Sequence, residues 1–131
     1  MNTTTRPDHI NVCLDTTPGP HRTDSTDIEW WLPIIGPTAT VLALTLVRHT
    51  APTGTIWTTE TLAQRVGLSG SRSRLWASLE RLDSFRLAHF HATDVLTVRT
   101  QLPALTERQL ARIPDELARI YPHRHLELTT A

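Results

Sequence analysis

A chain of 131 residues, 39% of them hydrophobic, holds enough apolar material for one modest core and too little for a second. Thirteen arginines, with no lysine, stand against 13 acids, and the resulting net charge of zero argues against a protein that coats nucleic acid by bulk charge. The lone cysteine, Cys13, rules out an intramolecular disulfide framework and a cysteine-built zinc site, and makes the cytoplasm the expected compartment.

The charges are unevenly placed. Residues 1–29 carry Arg6 and Arg22 against Asp8, Asp15, Asp24, Asp27 and Glu29, whereas residues 61–100 carry six arginines against Glu80, Asp83 and Asp94. Neutrality is an acidic flank cancelling a basic middle. The start, Asn-Thr-Thr-Thr-Arg-Pro-Asp after Met1, lacks the basic opening and apolar run of a targeting segment. Residues 1–27 are rich in Thr, Asp and Pro and show no period, so they are expected to form a disordered N-terminal tail. The alternation of Ile10, Val12 and Leu14 leaves a short docking strand as the alternative.

Structure is expected from Ile28. Gly36 followed by Pro37 ends one element and opens a helix that carries Val41, Leu42, Leu44, Leu46 and Val47 to about His49. Its greasiest stretch, residues 39–47, is far short of the ~18 residues that a membrane span needs. Ala51-Pro52-Thr53-Gly54 breaks it, Ile56 and Trp57 are extended, and Thr58 is placed to cap a helix with Leu62, Ala63 and Val66. Gly67 stops that helix. After the turn Ser69-Gly70-Ser71-Arg72-Ser73, Leu75, Leu79 and Leu82 set the core face of another. Two short strands flank Ala92-Thr93-Asp94, and Thr106 with Gln109 fits a capping box opening a stretch that Pro114 divides.

The segment Leu62-Ala63-Gln64-Arg65-Val66-Gly67-Leu68-Ser69 resembles the helix-turn-helix core of bacterial winged-helix regulators. Leu32-Pro33-Ile34-Ile35-Gly36-Pro37-Thr38-Ala39 is similar to the first-helix opening of small winged-helix proteins from high-GC bacteria, their mobile elements and some plasmid-type replication initiators. The resemblance covers residues 28–105 and implies a winged helix-turn-helix fold, mainly α with a small β-hairpin wing, followed by a C-terminal helical extension over 106–131. One departure is the turn over 67–74, longer than in the simplest members. The resemblance implies a second helix that enters the major groove by its N-terminal residues, and a hairpin that reaches backbone or minor groove.

The residues that would carry this are clustered. Arg72 and Arg74, beside Ser69, Ser71 and Ser73, bring guanidinium and hydroxyl donors to a helix N-terminus, where phosphates and guanine edges are contacted. Arg81, Arg86 and, on the wing, Arg99 are candidate backbone contacts. Double-stranded DNA is the expected partner and transcription regulation the expected role, with a homodimer or protein partner to strengthen binding. The rivals are a winged-helix module that binds protein through Trp30, Trp31 and the hairpin, and a replication or mobile-element accessory factor. His89 with His91 and His123 with His125 give only weak support for a metal site, so no cofactor is expected. Catalysis finds no footing, because the chain carries neither a Gly-rich phosphate loop nor a nucleophile elbow.

Overall fold

The alternation of Ile10, Val12 and Leu14 forms a strand. In the computed structural model, which describes residues 6–122, the elements run β1 (His9–Asp15), β2 (His21–Arg22), a 3-10 helix (Thr26–Trp30), α1 (Leu32–Ile35) and α2 (Pro37–His49). They continue with β3 (Thr55–Thr58), α3 (Thr59–Arg65), α4 (Arg72–Ser84), β4 (Ala88–Ala92), β5 (Val95–Arg99), β6 (Gln101–Leu102), α5 (Glu107–Leu110) and α6 (Asp115–Arg119).

Strand β1 lies inside a four-stranded sheet of order β3-β1-β5-β4. It pairs antiparallel with β3, Ile10 opposite Trp57, and parallel with β5, Val12 opposite Leu96 and Leu14 opposite Val98. Ile10 and Val12 are fully buried, while His9 and Cys13, which flank them on the alternate face, are exposed. This corrects two expectations. Residues 1–27 are not a disordered tail over their described part, because the strand buries its apolar positions and satisfies its backbone on both edges. The fold is not mainly α with a hairpin wing: it is mixed α/β, with a parallel strand pair that a hairpin cannot make.

The helices cover one side of this sheet. Helix α2 packs on α4 and reaches β5, α3 packs on α4, and α4 continues onto β4. On the other side His9, Cys13, Ile56, Thr58, His89 and His91 face solvent. One apolar cluster runs from Ile10 through Trp31, Leu42, Leu75, Leu79 and Leu96 to Tyr121, so neither residue 28 nor residue 105 is a boundary of the core. Two small strands extend it: β2 pairs with β6, His21 opposite Leu102.

Local chemistry sets the element ends where the sequence places them. Gly36 adopts φ +86° between α1 and α2, and the Thr58 hydroxyl accepts the Thr61 amide at the start of α3. Gly67, at φ +80°, turns the chain back so that the Leu68 amide reaches the Ala63 carbonyl at 2.7 Å. Thr106 and Gln109 form both bonds of the capping box, and Pro114 separates α5 from α6. No helix among the described residues is long and apolar enough to cross a membrane.

Candidate nucleic-acid interface

Helix α4 runs for 13 residues, with Leu75, Leu79 and Leu82 fully buried. Its N-terminal turn therefore stands clear of the core, with Ser69, Arg72, Ser73 and Arg74 exposed and Ser71 half-buried at the N-cap. The Ser71 side chain makes no capping bond, so the first amides of α4 keep donors for an outside acceptor. An open concavity of about 620 Å3 separates this turn from α3 and the start of β1, with Glu60, Gln64, Gly70 and Arg72 on its wall.

The eight sequence-selected residues divide into two groups. Ser69, Ser71, Arg72, Ser73 and Arg74 are brought together at the turn. Among them Arg74 has no hydrogen bond or ion pair among the described residues, whereas Arg72 is engaged: its Nη2 donates to the Pro7 carbonyl at 3.0 Å and pairs with Asp8 Oδ1 at 3.1 Å.

The other three arginines stand elsewhere. Arg81 donates Nε to the Ile35 carbonyl at 2.7 Å and Nη2 to the Ile34 carbonyl at 3.1 Å. It thereby caps the C-terminus of α1, whose last carbonyls have no helical partner. Arg99 donates Nη2 to the Pro18 carbonyl at 3.1 Å and faces Asp15. Arg86, exposed, holds φ +62° just after α4 and lets the Leu87 amide close on the Leu82 carbonyl at 2.9 Å. Thus Arg81, although exposed, holds the end of α1, and Arg99 holds the loop at Pro18.

Sequence reasoning missed the neighbours of the turn, namely Arg6, Asp8 and Trp76. The Arg6 guanidinium lies 5.3 Å over the Trp76 ring and pairs with Glu80 at 2.9 Å. Trp76 is buried, stacks on Phe90 at 5.7 Å, and leaves its indole nitrogen without a hydrogen-bond partner. The available signal was Arg6-Pro7-Asp8 directly ahead of the β1 alternation, since a docked strand carries its preceding residues onto the surface beside it.

The Thr17 hydroxyl and amide, with Arg99 and His91 near by, hold Asp15 below the usual carboxylate range. Arg22 does the same for Asp24, and burial pushes the Tyr121 phenol up. Among the described residues no group of three or more His, Cys, Asp or Glu side chains is placed to hold a metal ion. His89 bonds Asp83 and His91 bonds Thr97, and His123 and His125 lie outside the described residues. Trp31 and Trp57 spend their indole N–H on Pro103 and Thr50, and Trp30 packs edge-on against Tyr121. Comparison with protein-family models, with curated proteins and with solved structures finds no match.

Proposed function

We propose that the chain is a cytoplasmic, sequence-specific binder of double-stranded DNA, acting as a transcriptional regulator. The observation that carries this reading is the exposed N-terminal turn of α4, where Arg74 stands unpaired among the described residues beside three serines and uncapped helix amides. A guanidinium can bind guanine O6 and N7, hydroxyls and free amides bind phosphate, and a rigid helix fixes the register between them. Arg74 reads a base edge, Ser69, Ser71 and Ser73 hold the backbone, and Arg86 at the far end of α4 adds a phosphate contact. With so few free cations a monomer binds weakly, and the working form is a dimer or a complex with a partner protein.

The test is fluorescence anisotropy on labelled genomic fragments across a salt series. Arg74→Ala loses about 1 to 3 kcal/mol on the preferred site and flattens the preference among related sites. A uniform loss on all sequences, with a shallower salt dependence, makes Arg74 a phosphate contact only. Wild-type protein that shows no salt-sensitive retention overturns the reading. The second reading, a protein-binding module, draws on Ile56, 65% exposed on edge strand β3. It expects Ile56→Ser, and not Arg74→Ala, to release a partner.

A further inference from the structure

Helix α4 carries Arg72, Trp76 and Glu80 at successive spacings of four, one line along its surface. Residues 6–8 run across all three. Asp8 takes Arg72, the Arg6 guanidinium covers the Trp76 ring, and its Nη2 reaches Glu80. Resting on the DNA-binding reading above, we propose that residues 6–8 are a strap that competes with DNA phosphate for Arg72 and must open for full binding.

The chemistry of the Arg72 contact is that of a phosphate site already filled. One guanidinium nitrogen meets the Asp8 carboxylate and the Pro7 carbonyl together, at 3.1 and 3.0 Å, so two oxygens from the strap occupy donor directions that a phosphate would otherwise take. While the strap is closed, Arg72 and Arg6 are both neutralised and Arg74 is the free cation of the turn. Opening frees the Arg72 guanidinium next to it, while Arg6 leaves with the strap and uncovers Glu80 one turn beyond Trp76.

The strap is built to yield ahead of a fixed point. The Asp8 carbonyl accepts both the amide and the hydroxyl of Thr59, at 2.8 and 3.1 Å, so the chain is locked to the sheet from there onward. Ahead of that point the grip is on surface groups: the Asp8 side chain is 85% exposed and that of Glu80 58%. Exposed ion pairs hold weakly and give way to salt or to a better counter-charge. The acidic start of the chain thus serves the basic middle as an internal competitor.

The experiment uses the full chain and a labelled duplex of the preferred site in the same anisotropy assay. Asp8→Asn keeps the shape of an exposed side chain and is expected to tighten binding about two- to fivefold, the scale of one exposed ion pair. It also steepens the salt dependence by about one phosphate contact. Arg72→Ala removes the contested phosphate contact and weakens binding, and Asp8→Asn gives no gain when the two are combined. A gain that survives Arg72→Ala is a net-charge effect and overturns the strap, as does no gain at all in a variant whose circular dichroism matches wild type. Binding that is lost with Arg74→Ala while Asp8→Asn changes nothing overturns the strap and leaves DNA recognition standing. Absence of salt-sensitive binding in both wild type and Asp8→Asn removes both.

Discussion

The Tyr121 hydroxyl lies 2.6 Å from Nε2 of His21, a fully buried ring 100 positions earlier in the chain. The same hydroxyl oxygen accepts the Leu105 amide at 2.8 Å, and the other ring nitrogen of His21 faces Asp27 Oδ2 at 3.3 Å. The ring with its proton on Nδ1 lets Nε2 accept from tyrosine while Nδ1 donates to aspartate. It pins the C-terminal end of the described chain to the segment after β1.

Tyr121→Phe keeps the ring and deletes the buried hydroxyl bonds to His21 Nε2 and to the Leu105 amide. The expected cost is about 1 to 3 kcal/mol in denaturant titrations at neutral pH. Burial raises the Tyr121 pKa, so the folded protein keeps this proton after the unfolded chain begins to lose it, near pH 10. Stability from this group is complete below that pH and falls as pH rises through the window above it. Phenylalanine has no such proton, and the variant should lose less stability than wild type as pH rises above about 10. Parallel losses would assign the alkaline limb to other groups.

Strand β1 is a core element, so Ile10→Ala should cost about 2 to 5 kcal/mol, a large part of the about 5 to 15 kcal/mol of a typical domain. Cys13→Ser, on the solvent face of the same strand, should cost little. Thermal melts of both variants check the facing of the strand, and equal effects would contradict it.

Arg81 is expected to serve stability more than recognition. Arg81→Ala leaves the Ile34 and Ile35 carbonyls without their guanidinium donor and should lower the unfolding free energy by about 1 to 3 kcal/mol. DNA affinity, measured where the variant is fully folded, should match wild type. A loss of affinity with unchanged stability would return Arg81 to the interface.

Arg86 sits in the left-handed region, which glycine enters without a Cβ penalty. Arg86→Gly is expected to stabilise the fold by roughly 0.5 to 1 kcal/mol, read as a raised midpoint in urea. If the arginine also touches phosphate, the same variant binds DNA more weakly on every sequence alike. Stability and affinity then move in opposite directions.

The helices, their caps and the hairpin were legible because their signals are local. Gly36-Pro37, Thr58, Gly67 and the Thr106 capping box act within a few residues, and the spacing of Leu75, Leu79 and Leu82 fixes a face by itself. Strand β1 was not, because its partners β3 and β5 are remote in sequence and its solvent-facing residues make the stretch read as polar. Only two of its seven positions, Ile10 and Val12, are fully buried. The turn residues 69–74 were legible as an exposed, donor-rich helix start. What escaped was their pairing: the engagement of Arg72 by Asp8, of Arg81 by α1 and of Arg99 by Pro18 each depends on a long-range approach that no spacing encodes.

The parallel pairing of β1 with β5 also sets when the molecule can become itself. Asn11 reaches Asp94, 83 residues away, so the first strand of this sheet in chain order waits for the last before the sheet can close. Until then its Ile10 and Val12 edge is uncovered, and closure must meet the entropy of a long loop before any contact rewards it. The helices can form early from local signals, but cooperative stability arrives only once residue 99 is free, and a chain stalled before that point presents an open strand to its neighbours.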